Sequence, residues 1–302
     1  MAKHAPLMID PCKPPKVLLL GNGMLKLCGG SSWKELLEKI SGGVTNIDLN
    51  GIPYAMQPEA LCGVNVEEVQ RRTAEEIKNS PVHELLRKLL ELDFDAILTT
   101  NYSYEIEQVL SGKTWTEYQR KRAFCALDGK STVRDNTYIC NIIEKQEDRQ
   151  VPVFHIHGEM GRKHSLVLSY YSYAKAVARL TEFNRVRGNQ YAEYQQENKP
   201  FEVHGWLDYF LMSDVYTVGL GLDTSEFDLW WAIERKAREN AEHGALKVFI
   251  TEETDKPLPQ EVLLRAMKAE CIRVNVTDNE YESAYRETVR QIAQSDECIS
   301  PA

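Results

Sequence analysis

No two of the seven cysteines (Cys12, Cys28, Cys62, Cys125, Cys140, Cys271 and Cys298) stand in the close C-x-x-C spacing of a zinc ribbon. Their odd number and wide scatter read as reduced thiols that mostly fill the core, and no metal is expected. Long apolar runs are missing too. Nothing approaches the length of a membrane span, and the segment before Lys16, with Pro6, Pro11, Pro14 and Pro15, lacks the apolar centre of a signal peptide. A cytoplasmic protein with no membrane partner is expected. Positive charge is scarce: 36 Lys and Arg against 45 Asp and Glu give a net charge of -9, which argues against direct nucleic-acid binding. Internal repeats and low-complexity tracts are absent. What remains, 43% hydrophobic and 27% charged over 302 residues, is ordinary globular composition with enough chain for a substantial core.

Strands are expected at 16–20, 94–99, 137–142, 151–156, 166–169, 215–218, 247–251 and 271–276, several of them continuous apolar runs of the kind covered on both faces. Helices are expected from Ser80 as N-cap with Pro81 first, over 227–241, over 259–269 and over 279–294, with a charged loop at 144–150. The alternation predicts a Rossmann-like, doubly wound, mostly parallel α/β sheet. Residues 1–15 read as an N-terminal extension and 16–302 as one nucleotide-binding domain. Within it, 42–79 and 172–210 are helical excursions that would form a small lobe over the crevice.

Three apolar runs end in polar residues. Val17–Leu20 runs into Gly21-Asn22-Gly23, with Gly29-Gly30-Ser31-Ser32-Trp33 before a helical pattern; Ala96–Leu98 runs into Thr99-Thr100-Asn101-Tyr102; Val151–Phe154 runs into His155-Ile156-His157-Gly158. Strand carboxyl ends are where open α/β sheets bind ligands, and a glycine turn feeding a helix is the usual phosphate cradle. On these grounds Gly21 and Gly23 would let main-chain N–H groups approach a pyrophosphate closely, with Ser31 or Ser32 adding a hydroxyl. Alone, the same residues would be a plain turn, and an isolated Asn a turn residue.

The ordered set, completed by Ser165-Leu-Val-Leu-Ser-Tyr170, Gly219-Leu220-Gly221 and Glu226-Phe-Asp-Leu-Trp-Trp231, resembles the sirtuin fold, and more closely the bacterial sirtuin-like NAD hydrolases of antiphage defence. The resemblance spans about 16–251. It implies NAD as substrate, with Asn101 holding a ribose hydroxyl or the attacking water and His157 as general base. His155, on the same face of a regular strand, is the alternative base or a partner that orients the site. Asn22, Trp33, Thr100 and Ser103 would line the nucleotide, Gly219, Gly221 and Leu222 would back the adenosine ribose, and Thr251 would sit at the adenine edge. Tyr170, Tyr171 and Tyr173 would cover the site.

One position departs from that pattern: Ser103 stands where the family has an acid that helps grip the nicotinamide amide. A hydroxyl keeps hydrogen bonding but supplies no charge. The resemblance implies an NAD glycohydrolase releasing nicotinamide and ADP-ribose in an abortive-infection system. Control would come from a homo-oligomer or from a complex with a sensor or activator protein. The alternatives are an NAD-dependent protein deacylase, disfavoured by the absence of a four-cysteine zinc module, and a non-catalytic subunit that senses NAD or ADP-ribose.

Overall fold

The computed structural model describes residues 5–10, 13–42, 48–129, 135–145, 149–197, 199–239, 244–253, 256–278 and 280–297. Ten strands are assigned there: β1 (Met8–Ile9), β2 (Lys16–Leu20), β3 (Ala96–Thr99), β4 (Phe124–Ala126), β5 (Ile139–Glu144), β6 (Gln150–His155), β7 (Phe201–Glu202), β8 (Asp214–Val218), β9 (Leu246–Glu252) and β10 (Glu270–Asn275). Eight form one sheet in the order β10-β9-β8-β2-β3-β6-β5-β4, parallel from β10 to β6, with β5 and β4 antiparallel at one edge. The chain winds outward from β2 through β3 and β6, then crosses back to build β8, β9 and β10 on the other side of β2. The crevice at this reversal, beyond the carboxyl ends of β2, β3 and β8, is the ligand position of such sheets.

Side-chain alternation explains the layers. Val17 and Leu19 of β2 join one buried cluster with Ala96, Leu98 and Phe154; Leu18 and Leu20 join the opposite one with Ile97 and Val153. The first face is covered by the helices Tyr170–Glu197, Trp206–Met212 and Phe227–Glu239, through Leu180, Phe183, Phe210, Leu229 and Ile233. The second is covered by Glu84–Glu91, Glu105–Ser111 and Tyr281–Glu297, through Leu85, Leu89, Ile106, Ala284 and Ile292. The architecture is thus the expected doubly wound, mostly parallel α/β sandwich.

A separate apolar cluster marks the small lobe. Leu36, Leu37 and Ile40 of the helix Trp33–Ile40 pack with Val69 of Val66–Glu76 and with Leu166 and Leu168. The described residues of the excursion at 42–79 contribute to this lobe through Val69, whereas Leu180, Phe183, Phe201 and Trp206 of 172–210 are buried in the main core. In the N-terminal segment, Met8–Ile9 pairs antiparallel with β7, and Ile9 is fully buried.

Three local expectations change. Leu166–Ser169 forms no strand: Val167 donates its N–H to His157 O, and Leu168 donates to Ser172 Oγ, so this alternating apolar segment is extended but outside the sheet. The helix expected from Ser80 starts at Glu84, capped by His83 Nδ1 accepting from Leu85 N–H, because Ser80 N–H is held by Glu105 Oε1. Phe94 lies before β3, which begins at Ala96. Residues 240–241 and 279 of two expected helices, and 146–148 of the charged loop, lie outside the described residues. Among the described residues no helix is long and apolar enough to cross a membrane, and the described cysteines are free thiols.

Candidate functional site

One cavity of about 1740 Å³ opens at the carboxyl ends of β2, β3 and β8. Its wall begins with two turns pressed together. Gly21 N–H donates to Val218 O and Gly23 N–H to Gly219 O, at 2.9 and 2.7 Å. A Cβ on Gly21 would lie 2.4 Å from Gly219 O, so only glycine lets these backbones touch. The N–H groups of Gly21 and Gly23 themselves are therefore engaged within the protein. Gly21 lies behind the wall, while Asn22, Gly23, Gly219, Gly221 and Leu222 line it.

Register delivers the two polar side chains to one place. Thr99 of β3 pairs with His155 of β6, and each chain continues two residues to Asn101 and His157, both on the cavity wall. Thr99 Oγ1 donates to Leu20 O and accepts Asn101 N–H, fixing the turn. Asn101 Nδ2 donates to Gly21 O at 3.2 Å. Its Oδ1 is buried and has no partner, so an acceptor is left open in a residue that is 6% exposed. A buried acceptor without a donor is costly unless a ligand satisfies it.

His157 is fully enclosed, with Nε2 3.1 Å from Asp228 Oδ2 and its ring edge-on to Tyr173. Nδ1 has no hydrogen-bond partner among the described residues. Burial opposes the imidazolium, but the Asp228 carboxylate outweighs it and holds the pKa above the ordinary histidine value. Gly158, at φ 92°, lets the chain turn beneath Ser165, where a Cβ would meet Ser165 O at 2.3 Å. The His-Gly pair therefore carries a steric reason as well as a chemical one. Glu226 also faces the cavity, its Oε2 accepting Asp223 N–H at 2.8 Å. Burial raises its carboxyl, His157 opposes and Asp228 adds to the rise, leaving it at about 7.

The remaining expected residues line the same cavity: Ser31, Ser32, Trp33, Thr100, Ser103 and Thr251. Ser32 is also the N-cap of Trp33–Ile40 in a reciprocal box with Glu35, and Ser31 Oγ accepts from Lys39 Nζ at 2.9 Å. Trp33 Nε1 donates to Gln57 Oε1, joining the lobe to the wall. Tyr173 reaches the cavity, whereas Tyr170 and Tyr171 do not line it and are exposed. Sequence reading missed Asp228 and Glu226 as site residues, although both stand in the Glu226–Trp231 segment that carried part of the resemblance.

His155 is not on the wall. Its Nδ1 is 2.7 Å from Asn101 O and its Nε2 2.7 Å from Glu107 Oε1, so it is not placed to serve as the base. Glu107, His155 and Glu159 bring ligand atoms within 4.8 Å of one another, a grouping able to hold a metal. Here both ring nitrogens are engaged, and Glu159 pairs with Arg162 and accepts from Asn141 Nδ2.

Residues 95–275, from just before β3 to the end of β10, match the family described as the SIR2-like domain. The chain belongs to that family. The matched span holds Asn101, His157, Gly219 and Asp228, while the Gly21–Gly23 turn lies upstream of it. No curated protein matches the chain. SIR2-like domains bind NAD, and the cavity lies beyond the strands' carboxyl ends, where doubly wound sheets take their ligands.

Proposed function

We propose that this SIR2-like chain hydrolyses NAD to nicotinamide and ADP-ribose. The observation that carries the reading is the open Asn101 Oδ1 beside the Asp228-paired His157 in one nucleotide-sized cavity. One Nδ2–H of Asn101 is taken by Gly21 O, and the open Oδ1 is an acceptor that suits a ribose hydroxyl. The glycosidic C–N bond breaks, and its electron pair returns to the nicotinamide ring nitrogen. Water oxygen bonds to the anomeric carbon and loses a proton to the unpartnered Nδ1 of His157. Asp228 accepts from Nε2–H, fixes that tautomer and steadies the imidazolium that forms. Glu226, in its ionised form, adds negative charge against the oxocarbenium-like ribose.

The wider proposal is an antiphage effector that depletes NAD, kept inactive until it assembles into a homo-oligomer or meets a sensor or activator protein. The motif order supports it, as does the harm an unrestrained hydrolase would do to its own cell. Ser103 favours a second reading, a subunit that binds NAD or ADP-ribose without turning it over. Incubating the purified chain with NAD, with and without an acyl-lysine peptide, separates the readings. Nicotinamide without peptide is the expected result. Release only with peptide would replace the hydrolase by a deacylase, and binding without release would replace it by the sensor.

A further inference from the structure

We propose that His155 is a positioning residue: a buried imidazolium, bridging the Glu107 carboxylate to the Asn101 main-chain carbonyl, that sets where Asn101 stands in the cavity wall. This rests on the reading of Asn101 as the residue that holds the ribose. Both ring nitrogens of His155 are 2.7 Å from oxygens, and the Asn101 carbonyl can only accept. Beside an ionised Glu107, a neutral ring has one N–H and would leave one of these contacts without a proton, whereas an imidazolium serves both.

The surroundings are built for a cation. Glu107 comes from the helix Glu105–Ser111; it is fully buried, and its Oε2 has no hydrogen-bond partner. Its Oε1 also accepts from Asn141 Nδ2 of β5, which reaches Glu159 Oε2 as well. Glu159 is balanced by Arg162 and lies 3.8 Å from Arg120, so the acid left to His155 is Glu107. The Tyr104 ring stands edge-on to the imidazole at 5.6 Å and closes the remaining side. Burial acts against the charge, and Glu107, then Glu159 and the Asn101 carbonyl, more than restore it, pushing the imidazole up to about 9. A chain of strong hydrogen bonds therefore runs from the helix behind the sheet to the backbone of Asn101. The ordering explains why an apolar strand ends in two histidines: His157 works in the cavity, and His155 works behind it.

The test uses the full-length chain with 15N-labelled histidine. In wild type at pH 7.5, both His155 nitrogens are expected to be protonated, and deprotonation should come near pH 9. Glu107→Gln keeps the shape and removes the charge, so His155 should titrate at lower pH and the Asn101 side-chain amide resonance should move. NAD turnover in wild type should fall as pH rises through His155's titration, and in Glu107→Gln it should fall at lower pH. At pH 8 the variant should lose roughly 10–100-fold in kcat with KM little changed, the scale of a misplaced reacting group. A neutral His155 ring in wild type at pH 7.5, or coincident kcat profiles in the two proteins, would overturn the proposal. So would a stoichiometric metal in the purified chain that is lost in His155→Ala. If wild type releases no nicotinamide, the proposed reaction fails separately. The Asn101 amide then decides: moved in Glu107→Gln supports the strut, unmoved refutes it.

Discussion

Replacing Asp228 by Asn removes one charge and keeps the hydrogen bond to His157, so it isolates what the carboxylate does. The pair is 3.1 Å apart, with both side chains almost wholly enclosed. At an effective dielectric of ~20, the gross attraction is about 5 kcal/mol. Burial of both groups offsets much of it, leaving the ~1.5–3 kcal/mol usual for a charge-assisted hydrogen bond. If that energy orients and strengthens the base, kcat should fall roughly 10–100-fold at about 1.4 kcal/mol per tenfold. The pH profile carries more information. Asp228 holds the pKa of His157 above its ordinary value, and a base works only when deprotonated. Wild-type activity should therefore rise as pH increases through that raised pKa, and in Asp228→Asn the rise should come at lower pH. Stability has the opposite sense. A histidine with a raised folded pKa contributes stability that is fully present below the unfolded value of about 6.5 and is lost as pH rises through the folded pKa. The difference in melting temperature between wild type and Asp228→Asn should then shrink from pH 6 toward alkaline pH. Nicotinamide release across pH, beside thermal melts of both proteins, reads both. An unchanged position of the kinetic limb with unchanged kcat would refute the pairing's role.

Glu226→Gln should lower kcat by roughly tenfold or more with modest change in NAD affinity, measured by initial rates and calorimetry, because Glu226 lines the cavity and its ionised form would oppose the positive charge that the proposed reaction develops. Ser103→Asp restores the family's acid at a cavity position and should raise turnover; no nicotinamide from wild type or this variant would favour the binding-only reading. Gly21→Ala places a methyl 2.4 Å from Gly219 O and should cost ~1–3 kcal/mol, read as a lower urea midpoint, together with weaker NAD binding as the two turns separate.

The frame of the site was legible because it is local. Strand ends at Thr99, His155 and Val218 follow from apolar runs that stop at polar or glycine residues, and parallel pairing brings them to one edge. Asp228 was not legible in the same way, since it meets His157 across 71 residues of sequence and sits in a helix whose apolar stripe dominates its pattern. Leu166–Ser169 shows the limit of periodicity. Leu166 and Leu168 are buried in the lobe while Val167 packs with Ala55 and Tyr173, so alternation reported burial correctly, yet the backbone bonds are made to a turn and a helix cap instead of a neighbouring strand. The strand Phe124–Ala126 escaped notice because it is short and follows the basic helix Glu117–Ala123 without a break. His155 and His157 differ by two positions and look equivalent as sequence; only the Glu107 and Asp228 contacts separate their tasks.

The most direct measurement is an NMR time course of NAD with wild type and with the Asn101→Ala and His157→Ala variants, each first shown by calorimetry to bind NAD. Wild type should yield nicotinamide and ADP-ribose in equal amounts, and each variant should bind NAD yet turn it over ~10²–10⁴-fold more slowly. Equal turnover in wild type and both variants would contradict the assignment of the chemistry to this cavity.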